Sequence, residues 1–365
     1  MTIQGLSKFL KDRNVPTGRI PLTTLANTQF AIDGNNLCHN RLWGARIQVL
    51  KRTNLNVTIP TVDDIMNELI SSVLKYLKTL LHSRCVPVVV FDGTAPVAKS
   101  STLEYRRNSM AVLRQQYMEV ENQIKMAHEQ GEAPPSAVKD QFTKLFKQVN
   151  NHTTYMFHQV AKRLKETGIP VIKAKGEGDS VCASLVMEGY CALAISNDKD
   201  ILAYGCPILV TNINVVREDG QLMLTDAYVL EDILKTLDLN FYEFQTLCIC
   251  VGCDYNTRER YMGPTRVYDK IKDGNEDDLK SLRPIKFDEC IKIFQHRPVT
   301  TLIDEEESTP FIGMQPTDED QDKMLAGLDS LASNIAYVLL RGKTSIASSR
   351  GMSYDGRGDD FENYI

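Results

Sequence analysis

The sequence predicts an α/β protein in which a twisted, parallel sheet carries helices on both faces. Five short runs of β-branched or apolar residues, each bounded by turn residues, predict strands at 29–32, 86–91, 169–172, 191–195 and 207–212. The runs 86–91 and 191–195 are almost continuously apolar, which is typical of strands buried on both faces. Segments with helical periodicity separate the strands, and this alternation favours a parallel sheet.

Residues 62–83 carry the clearest helical pattern. Five apolar residues there repeat at intervals of three to four and predict one buried helix face: Ile65, Leu69, Val73, Leu77 and Leu80. Residues 226–272 also predict helices, interrupted by a turn at Gly263-Pro264, and residues 328–342 predict one more amphipathic helix.

Residues 103–167 interrupt the alternation with two long, polar helical stretches on either side of Gly131–Pro135. Between Lys99 and Lys175 the chain has 13 Lys or Arg residues and 7 Asp or Glu residues. Two interpretations of this local positive excess remain open. The segment is either a solvated helical hairpin or an arch that faces phosphate groups.

The overall composition gives no sign of nucleic-acid binding. The protein has 365 residues, a formal net charge of -5 and an isoelectric point near 5.8, so such binding requires a local basic patch. The cysteine count, nine, is odd, and most cysteines lie in apolar segments, which predicts reduced, buried thiols. Cys250 and Cys253 have metal-like spacing, but no second pair or nearby histidine completes a zinc site.

Carboxylates occur where the predicted strands end. Asp33 and Asp92 each end a strand, and two further pairs of acidic residues follow the strands 169–172 and 191–195. Because the carboxyl ends of parallel strands meet at one edge of a sheet, these side chains are expected to converge. The predicted set is Asp33, Asp92, Glu177, Asp179, Asp198 and Asp200, with Asp254 as a seventh member after an apolar helix.

Each of these acidic residues alone has an ordinary explanation as a turn residue or a helix cap. As a set they do not, because clustered carboxylates repel one another unless cations neutralise them. Oxygen ligands of this kind suit Mg²⁺ or Mn²⁺. Two such ions about 4 Å apart can generate hydroxide and stabilise the leaving oxygen of a phosphodiester, so no serine, cysteine or histidine nucleophile is required.

Several ordered motifs resemble the flap endonuclease/XPG family of structure-specific nucleases over about residues 1–272. They are Ile3–Leu6, Ala31–Asp33, Val90–Gly93, Gly176–Asp179, Ser196–Asp200 and Gly252–Tyr255. The resemblance implies a PIN-like nuclease core, a helical arch insertion and a C-terminal helix–two-turn–helix. It also implies cleavage of branched or ended DNA near the junction of single and double strands, with two Mg²⁺ ions that Mn²⁺ can replace.

The resemblance further implies roles for three basic or aromatic positions. Lys99 and Arg106 would lie at the base of the arch and contact the scissile phosphate, although an exposed helix start is the ordinary alternative for both. His39 stands where flap-cleaving members have an aromatic residue and exonuclease-type members a histidine. It would stack on a base, or it is a packed surface residue; both interpretations remain open.

The segment Tyr261–Arg266 resembles the turn of the helix–two-turn–helix, which grips the duplex backbone and binds a potassium ion in the family. Tyr261 replaces the first glycine of that turn, which weakens the expectation of potassium, while Gly263 and Arg266 could still hold phosphate. Two further departures are Thr2, in place of a glycine, and Asp179, in place of a glutamate. The sliding-clamp motif of cellular flap endonucleases is not found; after Gln321 and Met324 no aromatic pair follows.

Taken with the resemblance, the sequence predicts five regions. They are an N-terminal nuclease region at 1–100, a helical arch at 101–168, an internal nuclease region at 169–298 with the helix–two-turn–helix at about 240–272, an acidic linker at 299–327, and a helix with a flexible tail at 328–365.

We expect a monomeric 5′-flap endonuclease and 5′-3′ exonuclease that acts on flaps, nicks and gaps in DNA replication, repair or recombination. The alternatives are a four-way-junction resolvase and a non-catalytic DNA-binding scaffold of the same fold. The sequence has no signal peptide, no apolar run long enough to span a membrane and no clear nuclear signal. An intracellular location, nuclear or at a cytoplasmic site of DNA replication, is therefore expected.

Overall fold

The fold is described from a computed structural model, which defines residues 3–149, 153–256, 261–281, 285–296 and 316–348. The strands are β1 (Gly18–Pro21), β2 (Gln29–Asp33), β3 (Val86–Phe91), β4 (Val171–Lys173), β5 (Leu193–Ile195), β6 (Ile208–Val210), β7 (Val216–Glu218) and β8 (Gln221–Val229). The helices are α1 (Leu6–Asp12), α2 (Gly34–Arg52), α3 (Val62–His82), α4 (Ser100–Glu129), α5 (Ser136–Gln148), α6 (Thr153–Glu166), α7 (Gly178–Met187), α8 (Asp200–Ala203), α9 (Leu230–Leu237), α10 (Phe241–Cys250), α11 (Pro264–Lys272), α12 (Glu276–Ser281), α13 (Phe287–Gln295) and α14 (Asp318–Ser348).

The eight strands form one mixed sheet in the order β1-β8-β6-β5-β2-β3-β4, with β7 paired to β8. The five predicted strands are confirmed as β2 to β6, and they pair in parallel. Antiparallel strands extend the predicted parallel sheet, because β8 pairs antiparallel with β1, β6 and β7.

Strand β8 also corrects the prediction that residues 226–272 are helical, since Asp226 to Val229 belong to this strand. Asp226 has a left-handed backbone (φ 58°), and this interrupts the alternation of buried and exposed residues by which a strand is recognised in a sequence. Helices α9, α10 and α11 occupy the rest of that range, and residues 257–260 lie outside the described residues.

Each face of the sheet has its own apolar core. On one face, Ala31 and Val90 pack with residues of α1, α7, α10 and α13. On the other, Ile32 and Val89 pack with residues of α2, α3, α6 and α14. Neighbouring residues of one strand thus enter opposite cores, as the pleat of a strand requires. The expected helices on both faces are present.

Helix α3 follows the sequence prediction closely. Its five predicted core residues are all buried. Thr61 caps its amino end, accepting a hydrogen bond from the amide of Asp64 (3.1 Å), while the carboxylate of Asp64 accepts one from the amide of Thr61 (2.8 Å). This reciprocal capping box fixes the start of the helix one turn before its apolar face begins.

The insertion contains three helices, not the two that its sequence predicts. In α4 only Tyr117, Val120 and Ile124 are buried. Tyr117 packs on Phe142 of α5, with ring centroids 5.5 Å apart, so the distal half of α4 and α5 form a hairpin. Helix α6 belongs to the core instead, because its face around Val160 packs beneath the sheet.

The predicted acidic linker at 299–327 and the predicted helix at 328–342 also require correction. Residues 318–348 form the single long helix α14, whose Met324, Leu328 and Leu331 are buried in the core. The helix thus begins ten residues before the predicted one, in the acidic stretch around Met324. Residues 297–315 and 349–365, which include most of the linker and most of the tail, lie outside the described residues.

All nine cysteines are buried and none forms a disulfide, as the sequence analysis expects. No helix in the described part of the chain is both long and apolar enough to cross a bilayer.

Gly93 brings the loop after β3 against the loop after β4. Its amide donates a hydrogen bond to the carbonyl of Gly176 (2.8 Å), and a Cβ at this position would lie 1.8 Å from the carbonyl oxygen of Ala174. We expect Gly93→Ala to lower the free energy of unfolding by about 1–3 kcal/mol, because the backbone must move to relieve the overlap. Urea denaturation followed by circular dichroism measures this change.

Gly44 supplies the matched control for that measurement. It lies within α2, and a Cβ there meets nothing within 4 Å. Gly44→Ala should raise the free energy of unfolding by about 0.5–1 kcal/mol, as expected of a half-exposed helix position with open space around it. Equal effects of the two substitutions would contradict the close approach at Gly93.

Candidate active site

The carboxyl edge of the parallel strands gathers six of the seven predicted acidic residues. Asp33 is the last residue of β2, Asp92 directly follows β3, and Asp198 follows β5. Glu177 and Asp179 lie at the start of α7, the helix after β4, and Asp200 begins α8. Asp254 reaches the same region from the segment after α10, where Lys99 Nζ lies between it and Glu177.

Asp33 is nearly buried and acts as the cap of α2. Its carboxylate accepts hydrogen bonds from the amide of Asn36 (2.9 Å) and from Ser196 Oγ (2.8 Å). Burial, and next the negative charge of Asp92, raise the pKa of Asp33 to about 7 despite these two donors. Ionisation of Asp33 in the folded protein is therefore less favourable than ionisation of an exposed aspartate.

Asp179 lies at the centre of the acidic cluster. Burial raises its pKa well above the ordinary value, and the charges of Asp33, Asp198, Asp92 and Asp200 raise it further, in that order. The influence of these four charges on Asp179 shows that residues far apart in the chain lie close together. Asp179 is shorter than the glutamate expected from the resemblance, but its carboxylate still lies among the other acids.

Backbone amides stabilise the other carboxylates of the cluster. Asp92 accepts a hydrogen bond from the amide of Gly178 (2.8 Å), which joins the end of β3 to the start of α7. Asp198 accepts one from the amide of Asp200 (3.1 Å), and Asp200 accepts one from the amide of Ile3 (2.7 Å). Burial and the neighbouring Asp198 raise the pKa of Asp200 well above its ordinary value.

Two cations border the cluster at the base of α4. Lys99 ends a short 3₁₀ helix and contacts Glu177 (2.5 Å) and Asp254 (3.1 Å), with its side chain only 13 % exposed. Burial alone would lower the pKa of Lys99, but the charges of Glu177 and Asp254 raise it above its ordinary value. Arg106, on the second turn of α4, contacts both oxygens of Asp254 at 3.0 Å.

The remaining predicted residues lie away from these ion pairs. His39 is exposed on α2, and its ring meets Phe157 of α6 edge-on, with centroids 4.7 Å apart. Gly263 caps α11, with Pro264 in the first turn, and Arg266 is exposed on the same helix. Tyr261 has a positive φ of 65°, a backbone conformation that favours glycine.

Four groups that hold the acidic residues in place were not predicted from the sequence. Ser196 holds Asp33, Thr102 Oγ1 donates a hydrogen bond to the carbonyl of Asp254 (2.9 Å), and Asn35 Oδ1 accepts one from the amide of Asp92 (3.2 Å). The amide of Ile3 holds Asp200. The position of Ser196, a polar residue at the end of a buried strand, is a sequence signal that indicates a contact with the site. No local sequence signal indicates the role of Ile3.

The donor set suits a hard divalent cation, because it consists of carboxylate oxygens, and burial first and neighbouring carboxylates second raise the pKa values of Asp33, Asp179 and Asp200. Within the described residues, no three His, Cys, Asp or Glu side chains are arranged as a ready ligand shell for one ion. Part of the reason is visible, since Lys99 and Arg106 occupy oxygens of Glu177 and Asp254.

Comparison with known proteins identifies the family. The XPG N-terminal domain matches residues 1–112 and the XPG I-region matches residues 168–254, together more than half of the chain. The chain belongs to the flap endonuclease/XPG family. Both matched segments carry acidic residues of the cluster, and the unmatched segment between them contains most of the helical insertion.

Relatives and solved structures agree with this assignment. The flap endonuclease 1 of Entamoeba dispar is 27 % identical over 316 residues, covering 83 % of this chain and 78 % of that protein. The structure of flap endonuclease-1 from Methanococcus jannaschii has a TM-score of 0.56 at 21 % identity, covering 88 % and 97 % of the two chains. Human GEN1 in complex with Holliday junction DNA has a TM-score of 0.55 at 16 % identity, covering 96 % and 80 %. The XPG-family fold is therefore established for this chain.

The raised pKa of Asp33 makes stability depend on pH. Without divalent metal, between pH 4 and 7 the folded protein keeps a proton on Asp33 that the unfolded chain, with an ordinary pKa near 3.8, has lost. In a chelating buffer we therefore expect the free energy of unfolding to fall as the pH rises through this window, by up to about 1.4 kcal/mol per pH unit from this group.

The Asp33→Asn variant tests this assignment. An asparagine can still accept the hydrogen bond of the Asn36 amide through its Oδ1, and its Nδ2 can donate one to Ser196 Oγ, but the asparagine has no proton to lose. The variant should show a shallower fall in stability between pH 4 and 7, measured by urea denaturation at each pH. An unchanged slope would mean that Asp33 does not carry the raised pKa.

Proposed function

We propose that the protein is a structure-selective 5′-flap endonuclease that hydrolyses phosphodiester bonds of branched DNA. The convergence of seven acidic side chains beside Lys99 and Arg106, in a chain of the XPG family, carries this proposal. Members of the family are metal-dependent nucleases. The relatives that bear the name flap endonuclease 1 support the flap substrate.

We propose Mg²⁺ as the cofactor, with two ions bound and Mn²⁺ as a substitute. The residues that would hold them are Asp33, Asp92, Glu177, Asp179, Asp198, Asp200 and Asp254. When bound, such ions supply a hydroxide nucleophile and stabilise the leaving oxygen. Binding would also neutralise the charges that raise the pKa values of Asp33, Asp179 and Asp200, which favours uptake of cations at this position.

Lys99 and Arg106 are proposed to stabilise the charge of the scissile phosphate. Both are held at the mouth of the cluster by Glu177 and Asp254, so a phosphate that enters meets cations that are already oriented. As they turn to the phosphate, they would release carboxylate oxygens of Glu177 and Asp254. The same two cations thus compensate the acids before substrate binds and face the reacting group afterwards.

Flap cleavage is preferred to junction resolution because of the insertion between Asp92 and Glu177. Helix α4 has 30 residues, about 45 Å at 1.5 Å per residue, and its first half has no buried residue. The exposed start of this helix carries Arg106 and Arg107 beside the site, and such a surface suits contact with a single strand. His39, Gly263 and Arg266 are proposed as further DNA contacts, since each is accessible on an element beside or beyond the cluster.

Asp198→Asn should abolish cleavage of a 5′-labelled flap substrate in Mg²⁺ while leaving DNA affinity nearly unchanged, because it removes a charged ligand without removing volume. Product analysis on denaturing gels and fluorescence anisotropy measure the two quantities. Asp219→Asn, at an exposed turn where asparagine tolerates the left-handed backbone (φ 47°), is the matched control and should cut normally.

Cleavage assays of the wild-type protein test the proposed activity directly. If flap, gapped, nicked and four-way DNA all remain intact with Mg²⁺ or Mn²⁺, the protein is a binding scaffold. Cutting of four-way junctions alone would identify a resolvase, and stepwise loss of end nucleotides alone an exonuclease.

Arg106 and its neighbour Arg107 give a second, paired test. Arg106→Ala should lower the single-turnover rate about 10²-fold, the effect of removing one oriented charge donor, with a smaller change in DNA affinity. Arg107 is exposed on the same helix turn, and Arg107→Ala should leave the rate within about twofold of wild type. Equal losses in both variants would indicate a general charge effect of the helix.

A further inference from the structure

A large cleft adjoins the acidic cluster on the side of Asp92. It lies between the amino-terminal half of α2, the helix α6 and the loops that follow β3 and β4, and its volume is about 1160 Å³. Asp92 and Gly93 line one end of it. Small-molecule sites commonly range from about 300 to 1,000 Å³, so this cleft suits a segment of a polymer better than a small metabolite.

Four lysines from two different elements line this cleft, which we term the lysine cleft. Lys162 and Lys165 lie three residues apart on α6, Lys173 is the last residue of β4, and Lys175 lies in the loop that follows. Residues three apart face the same side of a helix. Among the described residues that line the cleft, Asp92 is the one carboxylate. An acidic protein therefore has a concentrated positive region next to its acidic cluster.

Aromatic faces lie among these cations. Tyr155, on the first turns of α6, lines the cleft and is half exposed. His39 and His158 line it from α2 and α6, and both are exposed. Alternating cations and accessible rings characterise sites for single-stranded nucleic acid, where lysines contact phosphates and rings stack on bases. A duplex, whose bases are already stacked, would not use these rings.

We propose that the lysine cleft binds the unpaired strand of a flap, with its phosphates on the lysines and a base on Tyr155. This inference rests on the proposed nuclease function and specifies which surface holds the single strand. It assigns that strand to α6 and the end of β4, the last part of the basic segment Lys99–Lys175 for which the sequence left two interpretations open. Asp92 belongs both to the acidic cluster and to the lining of the cleft.

The test uses two double variants of the full chain, Lys162→Ala/Lys165→Ala and Lys173→Ala/Lys175→Ala. Anisotropy in EDTA, where no cleavage occurs, measures affinity for duplexes with a one-nucleotide flap and with a flap of about eight nucleotides. Both variants should lose about tenfold in affinity for the long flap and less than about twofold for the short one. A plot of the logarithm of the binding constant against the logarithm of the salt concentration should also become less steep. The slope should fall in magnitude by about 0.7 per lost phosphate contact, or about 1.4 for two contacts.

Control variants separate this effect from general changes. Lys235→Ala with Lys11→Ala removes two exposed lysines outside the cleft and should leave the long-flap preference intact. Thermal unfolding of each variant checks that the fold persists. Tyr155→Ala should weaken binding of a flap with bases more than binding of an abasic flap, and Tyr155→Phe should restore the difference.

Equal losses for short and long flaps, or no loss in either cleft variant, would overturn the inference. So would specific binding of a free nucleoside monophosphate without any dependence on flap length, which would indicate a small-molecule site. Affinity is measured without cleavage, so the dependence of binding on flap length can be tested even if the protein cuts no substrate. Cleavage of the one-nucleotide flap in Mg²⁺, in turn, tests the nuclease independently of the cleft.

Discussion

Repulsion among buried carboxylates is the constraint on which the active-site region depends. The parallel strands β2, β3 and β5 bring Asp33, Asp92 and Asp198 to one edge, and the start of α7 adds Asp179 to the same region. No arrangement of the backbone can separate them without breaking the register of the sheet. Their charges are offset only in part, by hydrogen-bond donors from amides and from Ser196 and by Lys99 and Arg106 on the far side. A sheet edge with this arrangement favours the binding of cations, and bound cations can in turn hold a phosphate backbone.

Much of the central fold could be predicted from sequence because it depends on local periodicity. The five parallel strands are short apolar runs, and α3 has a regular stripe such as Leu69 and Val73. The antiparallel strands lacked comparable signals. Strand β1 has four residues at the edge of the sheet, and β8 is interrupted by Asp226, so neither shows a clean alternation. The start of α14, before residue 328, was not predicted for another reason, since its acidic surface concealed the buried residue Met324.

The acidic residues of the site could be predicted because their position at strand ends is visible in the chain. Their partners could not. Ser196 bonds to Asp33 across 163 residues of sequence, and the amide of Ile3 bonds to Asp200 across 197. The ion pairs of Lys99 likewise depend on how the insertion meets the segment after α10. Pairings of this kind are consequences of the tertiary fold, and a single sequence contains no periodic pattern that records them. The lysine cleft is of the same type, because its four lysines come together only when α6 packs beside β4.

The hydrogen bonds of the first described residues have a practical consequence. The amide of Ile3 donates to Asp200, and the amide of Gln4 donates to the carbonyl of Gly252, next to Asp254. The third residue of the chain therefore itself holds a carboxylate of the acidic cluster. An upstream fusion that displaced the amide of Ile3 would leave Asp200 without this hydrogen bond. Recombinant preparations that differ only in the placement of a tag are therefore not equivalent reagents for kinetics.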